Sequence, residues 1–237
     1  MFEAFSNRSE ELERIDKGDY TPQEYEQFLM DIRRVNRFAG DTKALRSSLL
    51  KDIEINGLEA FSVLDVGAGS GELLRVCARF ADATGRRSNL CGVELNRRSS
   101  EAILEKSASF VNISSVQGDG LDLPFTDNSF DYAICSLFTH HFRDEDILRI
   151  INEMDRVARR MIFVIDLHRH PFAYGLYKLF CVVFVRGSLV KSDGLLSIKR
   201  GFKPIEFEGL AGSAGLKSAR VVRRFPYRLV LEANSSK

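Results

Sequence analysis

The amino-acid sequence predicts an α/β protein, a mostly parallel sheet with helices on both faces, and three observations carry that prediction. Short apolar runs between Ser62 and Ile165 alternate with stretches of helical periodicity. Most of the runs are predominantly apolar, as strands buried on both faces require, and a parallel sheet is buried in that way beneath its crossover helices. The first run also passes directly into a glycine-rich turn, Gly67-Ala68-Gly69-Ser70-Gly71, and then into a helix-forming segment.

Before the first strand the pattern is helical. Ser9 is placed to cap a first helix, and Thr21-Pro22-Gln23-Glu24 has the capping-box spacing with proline at the first helical position. Tyr25, Phe28, Leu29, Ile32 and Val35 then fall on one face, Gly40 offers a stop, and Asp41 opens a third helix carrying Leu45, Leu49 and Ile53. Residues 1–57 are therefore expected to form a helical lid, and 58–237 the sheet domain. Five strands are expected at 62–66, 90–94, 114–117, 132–136 and 161–165, with an amphipathic helix carrying Ile147, Leu148, Ile151, Met154 and Val157 before the last of them. An aromatic helical insertion follows at about 167–202, holding Phe172, Tyr174, Leu176, Tyr177, Phe180, Val183 and Phe184. A helix over 204–215 and a closing hairpin of 219–222 with 228–231 complete the chain.

Composition narrows the function classes. With 237 residues, 44% of them hydrophobic, the chain can bury a sizeable core. Its 34 basic and 33 acidic residues leave a net charge of +1, so the chain as a whole has no field to attract nucleic acid, and a small-molecule partner is expected. Cys77, Cys91, Cys135 and Cys181 make no CxxC pair, which argues against a disulfide framework or a cysteine zinc site. The longest apolar stretch, 171–185, has 15 residues and includes Lys178, too short to span a bilayer. A soluble cytoplasmic protein, monomer or homodimer, is the expectation.

The glycine turn carries the sharpest chemistry. Glycines let the backbone turn tightly and let a ligand approach where a β-carbon would stand. A dinucleotide fingerprint is GxGxxG, whereas Gly67-x-Gly69-x-Gly71 is followed by Glu72 where the third glycine of that motif would sit. A pyrophosphate here would also meet the carboxylates of Asp65 and Glu72, against the attraction a helix N-terminus supplies. A cationic ligand meets no such repulsion, and S-adenosylmethionine, with its ammonium and sulfonium and no phosphate, suits an acid at this strand end. Glu94 ends the second strand about twenty residues on, the separation expected of an acid that accepts from both ribose hydroxyls. Asp119, in Gln117-Gly118-Asp119-Gly120-Leu121, can meet the adenine amino group, with Leu121 against the ring face.

Taken together, Asp65-x-Gly67-x-Gly69-x-Gly71, Glu94, Asp119, and Phe130-Asp131-Tyr132 leading into Ser136-Leu137-Phe138-Thr139-His140-His141 resemble the class I S-adenosylmethionine-dependent methyltransferases, of the small-molecule, quinone-biosynthesis and natural-product type. The resemblance runs from about Phe61 to Asp166. It implies a Rossmann-like sheet of seven strands with an antiparallel last strand, and S-adenosylmethionine across the strand ends with S-adenosylhomocysteine as product. The implied cofactor residues are Asp65, Gly67, Ala68, Gly69 and Gly71 in the turn, then Glu94 and Leu95, then Asp119, Gly120 and Leu121, then Ser136 and Leu137. Arg33 of the N-terminal helices would reach the cofactor carboxylate. Where many relatives carry Pro-Gly-Gly before the fifth strand, this chain has Arg156 to Arg160.

On the acceptor side, His140, His141, His168 and His170 all fall just beyond the carboxyl ends of the fourth and fifth strands, the edge at which open α/β sheets bind ligands. Imidazole titrates near neutral pH, so His140, His141 or His168 could take a phenolic or enolic proton as a methyl group arrives. His168-Arg169-His170 has no matching second cluster in sequence, and no metal is expected. The resulting expectation is O-methylation of a phenol, hydroxyquinone or aromatic polyketide, as in secondary metabolism. The alternatives are C-methylation of a similar ring, or a non-catalytic scaffold that binds the cofactor. A nicotinamide oxidoreductase lacks its turn here, and no Asn-Pro-Pro-Tyr-like base-flipping motif follows the fourth strand.

Overall fold

The computed structural model describes residues 5–236, apart from the side chains of Leu29, Arg33, Asn36, Arg37, Phe38 and Ala39. Its strands are β1 (Ala60–Val66), β2 (Arg87–Glu94), β3 (Ile113–Gln117), β4 (Phe130–Ser136), β5 (Ala158–Leu167), β6 (Lys217–Arg224) and β7 (Arg228–Asn234). They form one sheet in the order β3-β2-β1-β4-β5-β7-β6. The first five are mutually parallel, and β7 runs antiparallel between β5 and β6. Every expected strand is present and extends beyond its apolar run. The run marks only the part covered on both faces: β5, for instance, begins with the exposed Arg159 and Arg160 before reaching Ile162.

The period-two alternation divides the core in two. Leu64, Ala133, Val164 and Leu231 point to one face, and Val63, Ile134, Phe163 and Val230 to the other. The helices in chain order are α1 (Arg14–Lys17), α2 (Pro22–Ala39), α3 (Asp41–Leu45), α4 (Lys51–Ile55), α5 (Glu72–Thr84), α6 (Arg97–Lys106), α7 (Asp144–Val157), α8 (Pro171–Phe184), α9 (Ser188–Arg200) and α10 (Pro204–Ser213). Ile147, Ile151 and Met154 of α7 with Phe207 and Leu210 of α10 cover the first face. The second is covered by Leu74 and Cys77 of α5, Ile103 of α6, and Leu45, Leu49 and Ile53 from the α3–α4 run.

Two local expectations change. The hydroxyl of Ser9 accepts from the Glu11 amide, and the Ser9 amide donates to Lys199 O at 3.1 Å, so this stretch is pinned along α9 and the first helix starts only at Arg14. The α3–α4 run, counted with the N-terminal lid, is a layer of the core, which leaves α1 and α2 as the elements that rest on the insertion. Thr21, by contrast, forms its capping box: the Glu24 amide donates to Thr21 Oγ1 at 3.2 Å and the Thr21 amide to Glu24 Oε2 at 3.0 Å. Before β5 no turn exists at all. Helix α7 ends at Val157 and the strand begins at the next residue, with Arg156 donating to the carbonyls of Leu123 and Phe125 at 2.9 and 2.7 Å.

Buried carboxylates fasten the N-terminal elements. Asp193 of α9 accepts from the amides of Arg14 and Ile15 at 3.1 and 2.9 Å, and Asp31 of α2 accepts from the amides of Arg186 and Gly187 at 3.0 and 2.7 Å. Asp41 at the start of α3 pairs with Arg228 at the start of β7, Nε to Oδ1 2.5 Å, with both residues more than nine-tenths buried. Replacing one partner leaves the other charge buried and unpaired, which costs several kcal/mol. Asp41→Ala is accordingly expected to lower the unfolding free energy by about 3 kcal/mol with an unchanged denaturant slope. A urea titration that moves by less than about 1 kcal/mol would mean that water already solvates the pair.

Candidate active site

The turn after β1 is built as its glycines demand. Gly67, Gly69 and Gly71 all have left-handed backbone, with φ of +69°, +58° and +74°. A β-carbon on Gly67 would stand 2.4 Å from the Phe138 ring, whereas one on Gly69 would meet nothing within 4 Å. Gly67 is thus required by packing, and Gly69 faces open space. The amides of Gly67 and Ala68 donate to Val93 O at 3.0 and 3.3 Å, which locks the turn onto β2, and the Gly69 amide donates to the Glu94 carboxylate.

Two acids face this space. Asp65 is only 2% exposed; burial, and then the neighbouring Glu94 charge, push its carboxyl well above the usual carboxylate range. Glu94 is also raised by burial, against the pull of the Gly69 amide. Two desolvated carboxyls, one of them raised further by the other, fit a cationic ligand, because a positive charge would lower both. Beside them the hydroxyl of Ser136, at the end of β4, is buried without a hydrogen-bond partner among the described residues. Open space at Gly69, the acid pair and this unpaired hydroxyl all suit S-adenosylmethionine. Asp119 is exposed on the next strand end and accepts from the Leu121 amide at 2.9 Å. Gly120 is buried, its Cα side 3.0 Å from Val66 for any added β-carbon, Leu121 is partly buried on the core, and Leu95 is exposed. The Arg33 side chain lies outside the described residues; its neighbour Arg34 pairs with Asp31 at 3.0 Å.

Beyond β4 the chain crosses from this cleft into a second space. Leu137 has φ +52°, a conformation that costs a residue with a β-carbon roughly 1 kcal/mol, and its amide donates to Ile165 O at 2.9 Å. Phe138 turns back to the glycine turn, while Leu137 lines a cavity of about 580 Å³. Its other walls are Phe28, Ile32 and Val35 of α2, Ala173, Leu176, Tyr177 and Phe180 of α8, Val190 and Ile198 of α9, and Tyr227 before β7. Its polar lining comprises Glu13, His140, His141, His168, Asp193, Ser197 and Arg228.

His140 is 3% exposed, and its Nδ1 lies 2.7 Å from Asp166 Oδ1. Asp166 has no exposed surface and also accepts from Thr139 Oγ1 at 2.6 Å, the His140 amide at 3.1 Å and the Leu167 amide at 2.7 Å. Burial alone would raise its carboxyl, but the facing His140 and these donors outweigh that and hold it at about 2. An ionised Asp166 can only accept, so Nδ1 carries the proton and Nε2 is left as the base. That nitrogen is 3.9 Å from Glu13 Oε1. Buried Arg200 clamps the same loop, donating to His140 O at 2.9 Å and to His141 O at 2.6 Å. His141 is half-buried; burial lowers it, but the hydrogen bond to Asp16 at 3.2 Å and the charges of Glu13, Asp16 and Asp166 leave it raised above 6.5. Glu13, His140 and His141 each offer a ligand atom within 4.8 Å of the others, a cluster that no sequence spacing announced.

His168 also lines the cavity, yet burial, together with His170, Arg223 and Arg169, holds it down to about 4. At neutral pH that makes it a weak base, poorly matched to proton abstraction. His170 caps α8 by accepting from the Phe172 amide at 3.2 Å and stacks on Tyr227. Sequence reasoning missed Glu13, Asp166 and Arg200. Asp166 carried a usable signal, an acid closing an apolar strand as Asp65 and Glu94 nearly do, whereas Glu13 and Arg200 carried none.

Comparison with known proteins follows the same residues. A family model described as a methyltransferase domain matches residues 63–161. The demethylmenaquinone methyltransferase of Staphylococcus aureus (strain MRSA252) is 31% identical over 117 residues, which are 49% of this chain and 46% of that protein. The chain thus matches about half the length of this curated relative. A SAM-dependent methyltransferase from Aquifex aeolicus has the same fold, with TM-score 0.62 and 19% identity over 90% of this chain and 98% of that one. So does magnesium protoporphyrin IX methyltransferase from Synechocystis PCC 6803, solved with bound SAH, with TM-score 0.63 and 16% identity over 94% and 99%. Residues 63–161 thus match a methyltransferase domain, within a seven-stranded sheet whose fold is that of these solved structures.

Proposed function

We propose that the chain is an S-adenosylmethionine-dependent methyltransferase that acts on a hydroxyl oxygen of a small, flat, largely apolar acceptor, a phenol, hydroxyquinone or aromatic polyketide, bound in the cavity beside Leu137. The cavity carries the reading: about 580 Å³, lined largely by aromatic and aliphatic side chains, with Glu13, His140 and His141 among its polar groups. The bound cofactor supplies a methyl group on a positively charged sulfur, an electrophile that needs an aligned nucleophile and a destination for the nucleophile's proton. His140 provides the destination. Asp166 fixes its tautomer and orientation, the acceptor proton passes to Nε2 as the oxygen takes the methyl, and the nearby Glu13 carboxylate steadies the imidazolium ion. In the same reading Glu94 accepts from the ribose hydroxyls, Asp119 from the adenine amino group, and the apolar lid of α2, α8 and α9 excludes water. A cytoplasmic enzyme with no nucleic-acid partner completes it. Methylation at carbon of a quinone or aromatic ring is the second reading, favoured by the similarity to a demethylmenaquinone methyltransferase.

The test is label transfer from methyl-labelled S-adenosylmethionine to a panel of phenols and hydroxyquinones, with mass spectrometry locating the methyl. Transfer to oxygen with kcat reduced about 10²- to 10⁴-fold in His140→Ala is expected; label on carbon selects the second reading, and an unimpaired variant removes His140 from the chemistry. Glu94→Ala is expected to weaken cofactor binding about tenfold to a hundredfold in calorimetry, the worth of a charge-assisted hydrogen bond. Unchanged affinity would take the ribose from Glu94. Since His141 is held above its ordinary value by Asp16 among others, Asp16→Asn is expected to lower its titration midpoint, read from the imidazole proton resonance. The same linkage makes the contribution of Asp16 to stability largest below pH 6.5 and smaller as the pH rises past the His141 midpoint, so the wild-type advantage over the variant should shrink on going alkaline.

A further inference from the structure

Helix α8 shows apolar side chains on opposite faces. Ala173, Tyr177 and Phe180 look inward to the cavity. Phe172, Leu176, Leu179 and Val183, spaced i, i+4, i+7 and i+11, form a stripe turned to solvent, 70%, 54%, 63% and 66% exposed, with Val182 beside it at 76%. Nothing among the described residues covers that stripe. A contiguous apolar face of this kind marks an interaction surface.

The local charge says which surface it meets. Between Pro171 and Ser192 the sequence has Lys178, Arg186 and Lys191 and neither aspartate nor glutamate, a local charge of +3 in a chain whose 34 basic and 33 acidic residues otherwise balance. Lys178 and Arg186 are exposed, one beside the stripe and one just past its end. Two copies meeting through this face would bring like charges together. An anionic lipid surface would take the apolar stripe into its acyl boundary and the cations at its headgroups.

We propose that α8 is an interfacial helix that lays the enzyme on an anionic lipid bilayer. With 14 residues it is about 21 Å long and cannot cross the hydrocarbon, and no helix among the described residues is long and apolar enough to do so. It lies flat, with its outer stripe in the lipid and its inner face forming the cavity wall, and Leu176 belongs to both. A hydrophobic acceptor dissolved in the bilayer then has only this one helix between it and the chamber. That consequence rests on reading the cavity as the acceptor chamber; attachment to the bilayer does not.

Flotation of the purified full chain with vesicles of phosphatidylcholine, with and without phosphatidylglycerol, tests the attachment without any measurement of methyl transfer. The chain is expected to float with the anionic vesicles and far less with the neutral ones. Leu179→Glu with Val183→Glu, both outside the cavity lining, should abolish flotation while the protein unfolds at the wild-type temperature. Lys178→Ala and Arg186→Ala should each weaken partitioning to anionic vesicles about fivefold and leave the neutral ones unaffected. Absence of binding to either vesicle, or binding that survives the double substitution, overturns the proposal. So does a dimer in light scattering that the double substitution converts to monomer, which would give the stripe to a second copy.

Discussion

A carboxylate with no exposed surface must collect its donors from the protein, and Asp166 does so from both neighbouring segments. It stands near the carboxyl end of β5 and draws in the Thr139 hydroxyl and the His140 amide and ring from the loop after β4, together with the Leu167 amide of its own strand. Leaving such a charge unsatisfied would cost several kcal/mol, so the loop has little freedom to take another course. The consequences spread outward. Leu137 is forced into its left-handed conformation, Phe138 is set against Gly67, and His140 presents one defined nitrogen to the cavity. Arg200 then closes on the loop carbonyls from α9, which ties the insertion to the sheet edge.

The cofactor end obeys the opposite electrostatic logic. Asp166 is rich in donors and ionised, whereas Asp65 and Glu94 are both raised by desolvation and Glu94 raises Asp65 further. One carboxylate organises the protein, while the other two stand at the glycine turn with few donors. The division explains how a single strand-end loop, Ser136 to His141, separates a cleft suited to a cation from a cavity suited to an apolar ring while touching both. His140 and His168, both at the sheet edge, have different surroundings: one faces carboxylates, the other faces His170 and two arginines.

The cover over the cavity is held by polar stitches and filled by apolar contacts. Asp31 and Asp193 cap backbone amides of neighbouring segments, so α1, α2, α8 and α9 are positioned by a few buried acids. Their apolar side chains are then free to line a space in place of filling it. Helix α8 spends one face on that space and leaves the other to solvent, an arrangement that a helix packed into a core would not tolerate.

What the sequence determined by itself was whatever rests on local chemistry. The strands of the doubly covered sheet were legible because burial on both faces favours short, mainly apolar runs, the α2 start because Thr21 and Glu24 satisfy each other's backbone three residues apart, and the glycine turn because positive φ is costly for residues with a β-carbon. Strand ends, the failed cap at Ser9 and the core role of the α3–α4 run were not, since each depends on what packs alongside. Of the candidate site, the glycines and acids from Asp65 to Glu94 could be grouped in advance because one strand, one turn and the next strand end bring them together. The cluster around His140 was decided only by the tertiary structure. Glu13, His140, Asp166 and Arg200 come from four distant segments, and nothing in the spacing of four residues along a chain records that a buried charge will gather them.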